Sequence, residues 1–191
     1  ANIMIKKMTL IGTMLFATTF AMAQYQFTEN YPGGQLLMKG EYSADPGILT
    51  TDSKEVAAEK LNKVKKTGDW SYYYENGKPS GSEHYTSSGM RTGIWKTWYM
   101  NGQVTTETNF ATGATAYYYE SGKKSAEGKI TTDLLQTGKW INWFENGIKN
   151  SEGTFDNNGV QLGTWTFWND KGAKVAEQTY QNGQVVSTKN F

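Results

Sequence analysis

Apolar and polar positions alternate along most of this chain, and the alternation restarts at regular intervals. The clearest stretch is Thr137–Gly153. Trp140-Ile141-Asn142-Trp143-Phe144 is rich in aromatic and β-branched residues and reads as a strand. Asn146-Gly147 follows, the dipeptide favoured in a two-residue type I′ turn because both central positions take positive φ. Thr154-Phe155 then closes a returning strand, so the whole stretch reads as one β-hairpin. The same pattern recurs. Gly68, Gly93, Gly113, Gly138 and Gly163 open the copies, and Gly77, Gly102, Gly122, Gly147 and Gly172 stand at the turns. Both series are spaced 25, 20, 25 and 25 residues. Four positions before each turn glycine stands an aromatic: Tyr73, Trp98, Tyr118, Trp143, Trp168. Eight positions after it stands a bulky residue: Tyr85, Phe110, Ile130, Phe155, Tyr180. Matching periods at independent positions define a repeat protein.

Five hairpins are expected, near residues 67–90, 91–111, 112–135, 136–160 and 161–182, and Val185-Val186 offers a last strand after Asn182-Gly183. The third is worn, with Thr115 in place of the Trp found at 70, 95, 140 and 165. With a two-residue loop, counting outward from Asn146-Gly147 places Trp143 opposite Asn150, Ile141 opposite Glu152 and Gly138 opposite Phe155. Each opening glycine would then be shielded by the large residue across from it. Alternation divides the side chains between two faces. One carries Trp70, Trp95, Trp140 and Trp165 and is the expected core. The other carries the column Tyr73, Trp98, Tyr118, Trp143 and Trp168 beside Glu107, Glu127, Glu152 and Glu177, a mixture suited to solvent contact.

The N-terminal part departs from the period. Residues 25–42 look like a worn copy, with Gly34 at the turn position and Pro32 suited to an edge strand, as befits a capping unit. Residues 43–66 form a loop and then a short helix, N-capped by Asp52, with Ala57, Leu61 and Val64 on one face. Such an insert either docks a partner or covers a sheet edge, and the second is the commoner use.

Composition narrows the class. The chain has 191 residues, 21 of them Gly and 3 Pro, and aromatics supply most of the packing volume. There is no Cys, which removes disulfides, thiolate metal sites and lipid-bearing cysteines. Lys6 and Lys7, the apolar run Met8–Phe20 and Ala21-Met22-Ala23 match the three regions of an export signal, with Gln24 the expected mature start. The formal charge of the whole chain is +1, and loss of both signal lysines leaves it near neutral, with no electrostatic footprint for nucleic acid. The expected organisation is a cleaved signal over 1–23, a capping repeat over 24–42, the insert over 43–66 and the repeat array over 67–191. The expected fold is all-β: an elongated antiparallel meander of repeated hairpins in a single sheet, with one short helix.

The pattern G-x-W-x-x-W/Y-Y/F-x-N-G, then about five residues, Glu and an aromatic, resembles the MORN repeat variant, the repeat of the YwqK-type antitoxin family. Gly93-Ile94-Trp95…Asn101-Gly102 and Gly138-Lys139-Trp140…Asn146-Gly147 carry it best, and it extends over roughly residues 67–185. The resemblance implies hairpins laid side by side, and interaction scaffolding rather than catalysis.

Catalytic chemistry finds little support in the residues. His84 is the only histidine, so zinc ligation and nucleophilic triads lack their parts. The glutamates recur once per repeat, as a structural ladder would, whereas catalytic carboxylates form one unequal pair. Lys96 is expected opposite Glu107. No phosphate-binding glycine loop occurs, and no cofactor or metal is implied. The reading is a non-enzyme, exported to the periplasm or cell exterior, without a stable membrane span. Two functions stay open: a scaffold for a protein partner, extending to antitoxin-like neutralisation, and a glycan- or ligand-binding module using the aromatic column. Packing between repeats is the favoured account of that column.

Overall fold

The computed structural model describes residues 24–191, so the expected export signal lies outside the described residues. All strands are antiparallel and lie in one sheet in sequence order, β1 to β13. Two compact units divide at residue 92.

The first unit contains β1 (Tyr25–Asn30), β2 (Leu36–Tyr42), α1 (Lys54–Leu61), β3 (Lys66–Tyr73) and β4 (Pro79–Tyr85). Phe27, Tyr42, Ile48, Ala57 and Trp70 are buried together, with Leu61 and Val64 packed against them. The insert therefore covers the face of β1–β3 rather than a sheet edge. The helix N-cap is Ser53, whose hydroxyl accepts from the Val56 N–H. Asp52, the expected cap, instead accepts from the Leu49 N–H and pairs with Lys60 at 2.7 Å. Pro32 also stands elsewhere than expected. It lies inside the turn closed by the Gly34 N–H donating to the Tyr31 carbonyl, at the second position, where its fixed φ is preset for a type I turn.

The second unit contains β5 (Ile94–Trp98), β6 (Val104–Asn109), β7 (Ala114–Tyr118), β8 (Lys124–Ile130), β9 (Gln136–Trp143), β10 (Lys149–Phe155), β11 (Gln161–Trp168), β12 (Lys174–Gln181) and β13 (Gln184–Asn190). The hairpins β5–β6, β7–β8, β9–β10 and β11–β12 are the expected copies, and β3–β4 is the first.

The turns differ from the expected type in an informative way. The Gly147 N–H donates to the Phe144 carbonyl and the Phe144 N–H to the Ile148 carbonyl, so the loop is Glu145-Asn146-Gly147, three residues long. Gly147 has φ +86, whereas Asn146 is not among the residues with positive φ. This is a type I turn followed by a left-handed glycine. Only Asn182-Gly183, with φ +51 and +75, makes the two-residue loop expected throughout. The longer loop shifts the register by one residue: Trp143 faces Lys149, not Asn150. A bulge at Asn150 then shifts it back, so Ile141 faces Glu152 and Gly138 faces Phe155 as expected. The same irregularity follows the turn in every copy. Two one-residue deviations cancel, and the expected division of side chains between faces survives.

The opening glycine has a different role from the expected one. A Cβ at Gly138 would meet no atom within 4 Å, so Phe155 does not shield it. Its φ of +66 is what calls for glycine. The glycines that aromatics do cover lie between hairpins. A Cβ at Gly128 would stand 2.4 Å from the Trp140 indole, and one at Gly153 would stand 2.0 Å from that of Trp165. Each Trp lies across the return strand of the preceding hairpin, and its indole N–H donates to a carbonyl there. Trp140 reaches Lys129 O at 3.0 Å and Trp165 reaches Thr154 O at 3.3 Å. Trp70 does the same over Gly40, donating to Glu41 O at 3.1 Å. These three indoles are buried, at 1%, 1% and 4% exposure for Trp70, Trp140 and Trp165.

The joint between the second and third hairpins replaces both halves of this device. Thr115 stands for the Trp, Thr108 stands for the glycine, and their buried hydroxyls meet at 3.1 Å. The strands on either side then pair without interruption, Thr106 to Tyr117, Glu107 to Ala116 and Thr108 to Thr115. At the Gly–Trp joints, by contrast, the pairing lapses at Gly128 and Gly153.

Candidate functional site: the aromatic and acidic face

The aromatic column sits at the turn end of each hairpin. Trp98, Tyr118, Trp143 and Trp168 face Val104, Lys124, Lys149 and Lys174 across their own hairpins, and Tyr73 faces Pro79. Within the second unit the glutamates share this face. Glu107 lies opposite Lys96, Glu152 opposite Ile141 and Glu177 opposite Thr166, and each of these partners stands two residues before the column aromatic on the same strand. Glu127 occupies the equivalent place opposite Ala116. All five column residues and all four glutamates are half-buried.

Lysines join the two sets. The Lys124 amine donates to Glu127 at 2.6 Å, Lys149 to Glu152 at 2.9 Å, and Lys174 to Glu177. Each amine also lies over an aromatic ring of the following strand pair. Lys124 is 5.8 Å from the Trp143 ring centroid, Lys149 is 5.0 Å from that of Trp168, and Lys174 is 4.4 Å from that of Phe191. A cation over a ring is attracted by the negative π face. The expected Lys96–Glu107 pair is present at 2.9 Å. These contacts have electrostatic consequences. Hydrogen bonding from Lys149, helped by Lys139, holds the Glu152 carboxyl below the usual range against the opposing effect of burial. The Glu127 carboxylate raises the Lys124 amine in the same way. Sequence reasoning did not single out these lysines, although each stands two positions after its turn glycine.

Neighbouring hairpins are tied along the same end. The Tyr99 hydroxyl donates to Tyr118 O at 2.8 Å, and Tyr119 to Trp143 O at 2.6 Å. Asn101 and Asn146, at the turns, donate to Glu120 O and Asp170 O of the next turn. The column thus stands in a lattice of repeat-to-repeat contacts, and lysines lie over the ring faces of Trp143 and Trp168.

The lattice changes at the third hairpin. Ala114 and Ala116 occupy the places taken in the fourth by Lys139 and Ile141. Their small side chains leave an open trough of about 660 Å³. Ile94 and Ile141 stand at its sides, and Glu107, Glu127 and Lys129 border it. The recess has an alanine floor and lies beside the column rather than on it.

His84 lies in the first unit, opposite Asp69, with Nδ1 2.7 Å from the carboxylate. Among the described residues no group of three or more His, Cys, Asp or Glu side chains converges to hold a metal. Among them, too, no helix is long and apolar enough to cross a membrane.

Geometry of this kind defines a hairpin-repeat protein, in which the fourth and fifth hairpins each lean on the one before through one indole, one lysine and carbonyl contacts. Residues 66–86, 91–112 and 136–157 match the MORN repeat variant. The matched segments are the first, second and fourth hairpins, all of which carry the Trp that Thr115 replaces in the third. No curated protein matches the chain at a significant level.

Proposed function

We propose that this chain is an exported, non-catalytic repeat scaffold that holds a protein partner at the cell envelope or outside the cell. The observation that carries this reading is the trough over Ala114 and Ala116, an apolar recess bordered by both charge signs. A recess of that kind suits a protruding side chain of a protein partner, with rim charges setting orientation. Neutralisation of that partner, as in the antitoxin-type proteins whose repeat this one resembles, is the particular form we propose. The export part rests on the basic, apolar and small-residue pattern of residues 1–23. Binding of a glycan along the column is the competing reading. It asks for ring faces open to a sugar, and the lysines over Trp143 and Trp168 count against it.

The test pairs the wild type with Ala116→Trp, which fills the trough and leaves every column residue in place. Envelope extract is passed over both immobilised proteins, and insoluble and soluble polysaccharides are passed over both separately. A protein retained by the wild type and lost with Ala116→Trp is expected. Retention of polysaccharide by both, with no protein retained, would overturn the proposal in favour of the glycan reading. Mass spectrometry of the native protein tests export, and a cytoplasmic form keeping residues 8–20 would refute it.

A further inference from the structure

The first hairpin carries a second cluster that its repeat pattern does not account for. The Lys66 amine lies 4.5 Å from the Trp70 ring centroid, 5.0 Å from that of Tyr72 and 5.8 Å from that of Tyr85. It donates to the Glu83 carboxylate at 3.0 Å and to the Tyr72 hydroxyl. The Tyr72 and Tyr85 hydroxyls donate to the same carboxylate oxygen. Three aromatic rings and one carboxylate thus surround one ammonium. Rings within about 6 Å of a cation form the arrangement that recognises alkylated ammonium groups.

Two departures from the repeat build it together. Gln136 and Gln161 stand where the first hairpin has Lys66, and Gly153 and Gln178 stand where it has Glu83. Neither the cation nor the carboxylate is needed for the hairpin fold, since the fourth and fifth copies lack both. An ion pair alone would need only Glu83; the three rings add the chemistry of a cage. The site meets solvent, with 30% of the Lys66 side chain and 24% of that of Glu83 exposed. Burial and the Glu83 carboxylate both push the Tyr72 and Tyr85 phenols upward, so the rings stay neutral.

We propose that Trp70, Tyr72, Tyr85 and Glu83 form a binding site for an alkylated ammonium group, which Lys66 occupies as an internal competitor. The group is a trimethylammonium, whether of a methylated lysine or of a choline headgroup. A tethered amine competes at the high effective concentration set by its short link, so removing it exposes the affinity of the cage.

The experiment is calorimetric titration of the full chain with tetramethylammonium chloride against a sodium chloride control, in wild type and Lys66→Ala. Expected is saturable binding by Lys66→Ala at least tenfold tighter than by wild type, abolished when Tyr72→Leu and Tyr85→Leu are added. N-acetyl trimethyl-lysine amide and phosphocholine, titrated separately, then tell the two sources apart. Lys66→Met replaces Lys66→Ala if the latter fails to fold, because it keeps the apolar stem against Trp70. A folded Lys66 variant that binds no more tightly than wild type overturns the proposal, as does tightening that persists without the two tyrosines. In the wild type, the Lys66 side-chain methylene resonances are expected to shift on saturation with tetramethylammonium, as the amine is displaced. Resonances that do not move at saturation would also overturn it.

Discussion

Gly128→Thr, Trp140→Thr and the double variant form a cycle that tests the joint between hairpins. Gly128 does not have positive φ, so an added Cβ brings no backbone strain there. It would instead lie 2.4 Å from an indole that is 1% exposed. Relieving that overlap means moving Trp140 off Lys129 O, and overpacking of this kind costs about 1–3 kcal/mol. Trp140→Thr removes the indole and leaves Gly128 uncovered, a loss of about 3–5 kcal/mol by comparison with other large-to-small core changes. Independent sites would make the double variant cost roughly the sum. The third hairpin says otherwise, because Thr108 and Thr115 form a working joint of the same two positions. In the double variant no indole remains to clash, and a cross-strand Thr–Thr pair restores about 0.2–1 kcal/mol. The double variant should therefore be no less stable than Trp140→Thr alone. The interaction energy should favour the pair by about 1–3 kcal/mol, the size of the avoided clash. Urea unfolding followed by far-ultraviolet circular dichroism, with unchanged slopes, gives the four midpoints. Additive losses would refute the argument that glycine and tryptophan are one device.

Three further outcomes are expected. Leu134 has φ +66 and is 48% exposed, at a turn where the other copies have Gly89 and Gly159. Leu134→Gly should raise the urea midpoint by about 0.5–1 kcal/mol of stability, since relief of left-handed strain exceeds the added chain entropy; an unchanged or lower midpoint would count against it. Glu152 is depressed in the folded state by Lys149 and Lys139, so its stabilising contribution is present above the ordinary carboxylate pKa and is lost as pH falls through the folded value. Stability measured from pH 7 down to pH 3 should fall less steeply in Glu152→Gln than in wild type, and parallel curves would contradict the assignment. Trp143 is half-buried where Trp140 is buried, so Trp143→Ala should cost roughly half as much as Trp140→Ala in a thermal melt; equal losses would make the column core.

The candidate face was legible for a reason that the turn prediction did not contain. The two-residue loop was the wrong expectation for Asn146-Gly147, yet Trp143 and Glu152 still share a face. The third loop residue and the extra residue at Asn150 each reverse side-chain parity, and two reversals restore it. The Lys96–Glu107 pair was legible because it lies within one hairpin, where counting from the turn fixes partners. Contacts between hairpins could not be counted that way. The trough escaped notice because it is made by alanines, whose contribution to the site is what they leave empty.

The sequence alone determined the hairpins, their number and their boundaries, because aromatic strands and turn glycines act over a few residues and recur at a fixed period. It also determined which side chains share a face, since alternation along a strand is local. Tertiary structure decided how one hairpin meets the next: Trp140 on Gly128, Lys149 over Trp168, and Thr108 with Thr115 where the indole is missing. It also placed α1 on the face of the first strands and gathered three rings around Lys66. Those contacts join residues on strands whose relative offset no turn fixes. Their register is set by the packing of side-chain volume and charge between hairpins.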